Sequence, residues 1–514
     1  MGSLFFFVAG YVLKFFQLFR SIDVFESLGL VETHCRHFQG SVPFVDFDAQ
    51  NKEVDKYIHD LQYDSRKLLS VREDGSKETL PARESGPHNV IICTNKQKGL
   101  TKSFDEVTIL NPSAGVIYPG ALVHADRRLA EGKPTAISLP RSTSTISVDL
   151  PGLADDCARQ IPNMNYSSYQ KALNEILELW NKNPSSQGYV NAARSSLNIE
   201  KADSNSQLAL SLGFSAKWVD NKISTNLAVD HSNKSTSTVA LFRQVFYTVT
   251  TDLPTFPSTV FAPEVTLTDI KDQGLNASSP PGYVKSVDYG RLIFVRMDTH
   301  SVKDKADLKG ALNYVTGSDT TIDANLKARY QSVINNSTFT VLTIGGNAGV
   351  ASRMFKPNQI DQLNKVIKEN SVYSRQNPGY PISYTVSFLK DNEIATIQSQ
   401  TDFVETNCVE YPNGYIKLKH SGAYVAKFRV DWQEKDASGN PVSKSWESGN
   451  KTAGWTQTLN FPGDATGIRI QGWAKTGLVW DPWGEIINKV ENGPTNQCYR
   501  ARGTTLGRSW DNDC

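Results

Sequence analysis

The 514-residue chain carries almost no net charge, with 54 basic against 53 acidic residues and a formal charge of +1. It therefore casts no global field toward nucleic acid or an anionic membrane, and nucleic acid is not an expected partner. Any affinity for a membrane has to be apolar or directed by a receptor. Its six cysteines (Cys35, Cys93, Cys157, Cys408, Cys498 and Cys514) contain no C-x-x-C pair, which argues against a zinc ribbon or a dithiol redox motif. Eight histidines are scattered without a strong metal spacing, so neither a metal nor another cofactor is expected. The catalytic signatures G-x-S-x-G, G-x-x-x-x-G-K-[ST], H-E-x-x-H and G-x-G-x-x-G are all missing. Scattered catalytic groups escape such a search, but the absence agrees with a protein whose work is mechanical, and no enzymatic activity is expected. No period of 20–50 residues recurs, and no segment is strongly low in complexity. Nor is there an apolar run long enough for a confident transmembrane helix. Leu4 to Leu13 has the length of a signal peptide's apolar core, but it lacks a basic start and a clean cleavage site. Phe6 stands where myristoylation prefers Ser or Thr. Residues 1–50 read as a poor secretion signal or an extension, and His34-Cys35-Arg36-His37 within them as a solvated tail.

What is present points to several domains, since the length exceeds one compact core. Composition changes near Tyr411. Seven of the nine tryptophans follow it, and short alternating runs such as Tyr424 to Trp432, punctuated by Gly, Pro and Asn, predict a β-sandwich over 411–514. Near its end, Trp473, Trp480 and Trp483 crowd together. Asp481-Pro482 and Gly484 are turn formers, so Trp480 and Trp483 are expected on or beside a loop. An indole on a loop suits a lipid–water interface, having an apolar body and one polar N–H. A core cluster or a tryptophan-lined sugar site fits the same composition. Cys498 and Cys514 are placed to pair in an oxidising compartment, and the sequence leaves that pairing open.

Two middle stretches alternate with period two. Leu208, Leu210, Leu212, Phe214, Ala216 and Trp218 are interleaved with small or polar residues. Beyond Asp220-Asn221 the rhythm resumes with Ile223, Leu227 and Val229. In the second stretch Val302, Ala306, Leu308, Leu312 and Tyr314 oppose Lys303, Lys305, Asp307, Lys309 and Asn313. After Gly317-Ser318-Asp319, Ile322, Ala324, Leu326, Ala328 and Tyr330 oppose Asp323, Asn325, Lys327, Arg329 and Gln331. Each half is long enough for a membrane-spanning β-strand, with one face to lipid and one to a wet lumen. A closed ring of such hairpins leaves no unpaired edge. Two other readings stay open. An ordinary half-buried antiparallel sheet alternates identically, and Leu308, Leu312 and Val315 also share a helical face.

Several blocks carry a resemblance to a known family. Thr476-Gly477-Leu478-Val479-Trp480-Asp481-Pro482-Trp483 resembles the tryptophan-rich undecapeptide of the cholesterol-dependent cytolysins, within the membrane attack complex/perforin superfamily. It departs from that loop at Lys475, where the family has Cys, at Pro482, where it has Trp, and at Gly484, where it has Arg. Further blocks resemble the family in the same order from about Asn51 to about Leu506. They include Tyr118-Pro119-Gly120-Ala121-Leu122, Val148-Asp149-Leu150-Pro151-Gly152-Leu153, Gln244 to Val249, Tyr289-Gly290-Arg291, Asn377 to Tyr384 and His420 to Ala426. The resemblance implies an α+β fold. An elongated, discontinuous body over 51–410 would be built on a central twisted antiparallel sheet flanked by helical bundles, with a C-terminal sandwich that recognises the membrane. It implies that segments of about 204–240 and 298–333, including Leu208, Leu210, Leu212, Phe214, Trp218, Leu308, Leu312 and Leu326, unfurl from helices into transmembrane hairpins. By the same resemblance Thr505 and Leu506 are the cholesterol-recognising pair. Thr476, Gly477, Leu478, Trp480 and Trp483, with Ala423, would form the membrane-binding loops. Gly345 and Gly346 match a hinge from which a blocking element swings away. Phe339 matches an aromatic that stacks on a neighbouring protomer's tyrosine, although Ser195 to Asp203 contains none. The function implied is that of a secreted monomer that binds membrane cholesterol on a target cell, assembles into a homo-oligomeric ring and opens a β-barrel pore. The alternatives are a non-lytic or cholesterol-independent relative that binds membrane or glycan, and a ring-forming defence factor.

Overall fold

The computed structural model describes residues 49–73, 79–109, 116–214, 227, 236–299, 307–317, 323–346, 350–369, 371–477 and 480–514. The N-terminal segment before Ala49 lies outside the described residues, His34 and Cys35 included.

The body is organised on five consecutive antiparallel neighbours within a ten-stranded sheet. They are β1 (Arg194–Ala202), β2 (Thr236–Thr251), β3 (Pro281–Thr299), β4 (Ser337–Gly345) and β5 (Val350–Phe355). β2 and β3 are nearly continuous runs of buried residues, as expected of strands covered on both faces. Alternate side chains enter different cores. Ile293, Val295 and Met297 join one, and Leu292 and Phe294 the other.

The covers come from the connections between these strands. The helix α1 (Asn205–Ser211) lies between β1 and β2 and covers one face. The helices α2 (Leu308–Val315) and α3 (Ala324–Asn335) lie between β3 and β4 and cover the other, joined by α4 (Ile360–Lys368). Local signals favour helix in each. Ser204 Oγ accepts from Gln207 N at 3.0 Å while Gln207 faces back toward the Ser204 amide, a capping box. Asp323 Oδ1 accepts from Leu326 N at 2.8 Å. Leu308, Ala311, Leu312 and Val315 form a buried stripe at helical spacing. Asp307 and Arg329 pair across α2 and α3 with Nε–Oδ2 2.6 Å.

The described parts of the two alternating stretches are therefore helices and the turns that end them in this state, not strands of an ordinary sheet. For Leu208, Leu210, Leu212 and Phe214 the reason is enclosure. Ala209 and Ser211 are buried as well, because α1 is wedged between the central sheet and a long ribbon described below. Its last carbonyl, Ser211 O, accepts from Lys102 Nζ at 2.8 Å and Asn198 Nδ2 at 2.9 Å. A cation at that end suits the helix dipole. Leu308 and Leu312 are buried, Leu326 is half-buried, and Trp218 lies outside the described residues.

The ribbon pairs strand Asn89–Phe104 with strand Ile397–Pro412 along their whole length. Cys93 and Cys408 sit directly opposite each other in it and form a disulfide with Cα atoms 4.0 Å apart. The ribbon runs straight into the C-terminal sandwich. There Arg83 pairs with Asp464 at 2.8 Å, both largely buried.

The sandwich has strands β6 (Gly414–His420), β7 (Ala426–Lys435), β8 (Pro441–Glu447), β9 (Thr456–Phe461), β10 (Thr466–Lys475), β11 (Trp483–Glu491), β12 (Gln497–Thr504) and β13 (Gly507–Asp511). They form two four-stranded sheets, ordered β9-β6-β12-β13 and β8-β7-β10-β11. Ile416, Leu418, Phe428, Val430, Ile468 and Ile470 interdigitate between them. Cys498 and Cys514 form a disulfide, Cα atoms 6.0 Å apart. The expected α+β class, with its central antiparallel sheet, flanking helices and C-terminal sandwich, is the class observed.

Candidate functional site

One end of the sandwich gathers most of the residues singled out in the C-terminal region. β10 and β11 form a hairpin whose last pair is Lys475 opposite Trp483. The connection between them is held by one aspartate. Asp481 Oδ1 accepts from Gly477 N at 2.9 Å, Asp481 O accepts from Lys475 Nζ at 3.0 Å, and Lys475 Nζ lies 3.5 Å from Oδ2. Asp481 has φ +34° and Gly477 φ +75°. The left-handed region is one that Asp tolerates and glycine enters freely.

Lys475 is therefore part of a brace. Its Nζ also sits 4.8 Å from the Trp483 ring, and Lys427 Nζ sits 4.7 Å from that ring and 5.4 Å from Trp473. Trp483 is thus fixed by two cation–π contacts. Trp480, at the turn, is 79% exposed. Thr476 is half-buried. Leu478 lies outside the described residues.

The second loop closes β12 and β13. Thr504 pairs with Gly507, so Thr505 and Leu506 form a two-residue turn. Gly503, at φ +95°, lets the strand approach, since a β-carbon there would fall 2.0 Å from Gly507 O. Thr505 lies against the tryptophan loop, because a β-carbon on Gly477 would come within 3.2 Å of Thr505 Cγ2. Ala423 joins the same end, its N donating to Gly503 O at 2.8 Å and its strand bridging Thr504. Leu506 is 98% exposed. Burying such a leucine in an apolar medium contributes about 1.5–3 kcal/mol.

Arg508 also belongs to this end and carries no sequence motif. Its guanidinium lies over Gly484, where a β-carbon would meet Nη1 at 2.7 Å. Nη1 is buried without a hydrogen-bond partner. The group also faces Tyr424, whose hydroxyl burial pushes up to about 12 against the opposing pull of Arg508. Arg508 thus spans from the turn of Thr505 and Leu506 to the strand that follows the tryptophan loop. Strict alternation from the buried Ile487 would turn residue 484 outward, and it is the register shift between Gly472 and Trp473 that sets it opposite Ala474, so no sequence signal marked the pair.

A second set of residues lies in the body. Gly345 (φ +88°) and Gly346 (φ +70°) end β4. A β-carbon on Gly345 would fall 2.6 Å from Gly290 O, so the chain turns there against β3. Phe339 is fully buried, opposite Met297 on β3 and Phe355 on β5. It is covered by α2 and α4 side chains in the same core, so it is not available to a neighbour in this state. The glycine pair and the tip therefore sit in different parts of the molecule. No helix of the described residues is long and apolar enough to cross a membrane, which says nothing about strands.

Comparison with known proteins gives consistent matches. The family model for "Thiol-activated cytolysin" matches residues 53–411, and that for "Thiol-activated cytolysin beta sandwich domain" matches residues 415–509. Tetanolysin of Clostridium tetani is 37% identical over 469 residues, covering 89% of this chain and 87% of the relative. Perfringolysin O of Clostridium perfringens is 33% identical over 469 residues, covering 90% and 92%. The solved structure of a non-hemolytic pneumolysin from Streptococcus pneumoniae strain ST306 superposes with TM-score 0.76 at 29% identity, covering 90% of this chain and 99% of that one.

Proposed function

The chain belongs to the thiol-activated cytolysin family, and from that premise we propose that it is a secreted cytolysin that docks on a cholesterol-containing target membrane and opens a β-barrel pore. The sandwich, 411–514, acts as the membrane-recognition domain. Its exposed Trp480 and Leu506 enter the interface. The Thr505 hydroxyl hydrogen-bonds the sterol 3-OH while Leu506 covers the ring edge. Bound monomers then assemble into a ring through the central sheet, and each inserts two hairpins drawn from about 204–240 and 298–333.

The observation that carries this reading is one of register. Continuing the Ala202–Ser237 pairing of β1 and β2 without a slip brings Val219 beside Asp220. Continuing the Thr299–Ser337 pairing of β3 and β4 closes on Ser318. Both closures fall on the turn formers Asp220-Asn221 and Gly317-Ser318-Asp319. Period-two geometry then fixes the faces. Leu208, Leu210, Leu212 and Phe214 share the face of Ala202. Ile223, Leu227 and Val229 share that of Val239 and Leu241. Leu308 and Leu312 follow Leu292 and Phe294, while Ala324 and Leu326 follow Leu342 and Ile344. All these base residues point into one core, the one α1 now covers. Four separate stretches thus present their apolar residues on a single face of one extended sheet. Lys309, Lys327 and Arg329 fall on the other, ready for a lumen. In opening, the apolar face exchanges a protein cover for hydrocarbon.

Single-cysteine labelling tests the reading directly. The described native cysteines are all in disulfides, so an introduced thiol reacts alone. A polarity-sensitive probe should report a lipid environment at alternate positions across 208–214 once cholesterol-containing liposomes are added. A helical three-to-four-residue rhythm, or no membrane-dependent change, would instead support a non-lytic binding relative.

A further inference from the structure

The hairpin of β12 and β13 carries three arginines, and two of them have carboxylates. Arg500 Nη2 lies 2.8 Å from Asp511 Oδ2 and 3.3 Å from Asp513 Oδ2, and Arg502 Nε lies 2.8 Å from Asp511 Oδ2. Both sit on the outer face of their sheet, because Tyr499 and Ala501, which alternate with them, enter the core. Arg508 is on the other side. It stands opposite Gly503, two positions along from Trp510 opposite Ala501, and so shares the inner face at the open end of the sandwich. No carboxylate among the described residues pairs with it there.

A guanidinium taken out of water costs free energy unless its N–H groups find acceptors. Arg508 Nη1 is enclosed and has none. The rest of the side chain is half-buried, and it makes no hydrogen bond to a described residue. Gly484 is what admits the group, since a β-carbon there would fall 2.7 Å from Nη1, 3.2 Å from Cζ and 3.4 Å from Nη2. The nearby lysines are already engaged. Lys475 Nζ is held by Asp481 and Trp483, and Lys427 Nζ lies over Trp473 and Trp483. Arg508 is thus a planar cation with donors to spare, a geometry that suits a phosphate oxyanion gripped by two parallel N–H bonds.

Its place along the molecule is set by the two hairpins. Gly484, beneath the guanidinium, is one residue behind the last pair of the tryptophan hairpin, Lys475 opposite Trp483. Leu506, 98% exposed, is two residues before Arg508, or about 7 Å at about 3.3 Å per residue. Apolar anchors of interfacial segments sit about 5–10 Å into the boundary between headgroups and acyl chains. With Leu506 and Trp480 seated so, the guanidinium lies at the level of the phosphates.

We propose that Arg508 is a binding site for the phosphodiester of a membrane phospholipid, between the turn of Thr505 and Leu506 and strand β11 and apart from the sterol-facing hydroxyl of Thr505. The proposal deepens the membrane-docking reading and rests on it for the source of the phosphate.

The first test compares liposomes of phosphatidylcholine and cholesterol with liposomes of digalactosyldiacylglycerol, which has no phosphate, at the same cholesterol fraction. Arg508→Gln should weaken binding to the first about tenfold or more and leave binding to the second within about twofold of the parent. Arg508→Lys, which keeps the charge but loses the fork, should fall between. No loss on phosphatidylcholine would overturn the site, and so would equal losses on both lipids, which mark a structural part in the hairpin. If Arg508→Gln does not fold, Arg508→Lys decides the same comparison.

The second test uses no membrane. Dihexanoylphosphatidylcholine below its micelle concentration, and separately inorganic phosphate, are titrated into protein labelled with nitrogen-15 at arginine, the Arg508 Nε signal being the one missing from Arg508→Lys. The short-chain lipid should shift that signal. No shift with either would overturn the site, and a shift with inorganic phosphate alone would overturn its assignment to a lipid. A parent that binds neither liposome, yet shows the shift with the short-chain lipid, would keep the site and count against the proposed function alone.

Discussion

Ala324 and Asn325 offer a matched pair for testing the barrel. Both are exposed in the first turn of α3. An arginine at either costs the monomer the same small dipole penalty, about 0.3–1 kcal/mol. In the hairpin proposed above their faces would separate, Ala324 falling with Leu342 and Ile344 and Asn325 with the lumen. Ala324 stands six positions past Ser318, where the hairpin closes. At about 3.3 Å per residue and a tilt of about 40°, that places it roughly 15 Å into a hydrocarbon layer about 30 Å thick. An arginine facing lipid at that depth costs about 2–4 kcal/mol, or about 30- to 900-fold in the insertion equilibrium of each protomer. Ala324→Arg should therefore abolish dye release from cholesterol-containing liposomes, while co-sedimentation with them and the thermal midpoint match Asn325→Arg. Asn325→Arg should release dye like the parent. Equal release by the two variants, or a greater loss in Asn325→Arg, would refute the assignment of faces. Leu210 and Phe214 are poorer sites for this test, because both are buried in the soluble core and a charge there would damage the monomer first. Leu326, half-buried, should behave like Ala324 with a modest loss of monomer stability.

Other outcomes follow from the tip and the ribbon. Replacing Thr505 and Leu506 together by Gly should lower binding to cholesterol-containing liposomes at least tenfold with little change in thermal midpoint, since Leu506 is almost fully exposed and Thr505 is only half-buried against the tryptophan loop. Binding equal to the parent would move sterol recognition elsewhere. Gly484→Arg should weaken lysis, because its β-carbon and charge arrive at Arg508 Nη1. Combining it with Arg508→Gly should restore lysis toward the parent, read as dye release per bound molecule. Lysis raised by Gly484→Arg alone would contradict the crowding. Replacing Cys93 and Cys408 by Ser removes a link between positions 315 apart in sequence. That should lower stability by about 2–5 kcal/mol, seen as an earlier thermal transition of the ribbon-bearing body, and an unchanged transition would mean that the ribbon pairing alone holds those strands.

The sequence by itself determined the class and the family. Alternation and tryptophan content marked the sandwich after Tyr411, since a period of two with Gly and Pro punctuation has few other solutions. The same rhythm marked the four stretches around Leu208, Val229, Leu308 and Leu326, and the turn formers between them. Blocks in a shared order pointed to the family. What alternation could not decide was the state in which those stretches rest. Leu208 to Phe214 satisfy strand and helix equally as a pattern. The helix is selected by the Ser204–Gln207 capping box, which is legible locally, and by enclosure between sheet and ribbon, which is not. The ribbon comes from residues 89–104 and 397–412, so its wall against α1 exists only after long-range pairing. Pairing likewise set what no spacing encodes. It put Arg508 over Gly484, Lys475 against Asp481 and Trp483, and Cys93 opposite Cys408. Each of these contacts joins residues whose neighbourhood depends on strand register, and register is a property of the folded sheet rather than of any one segment.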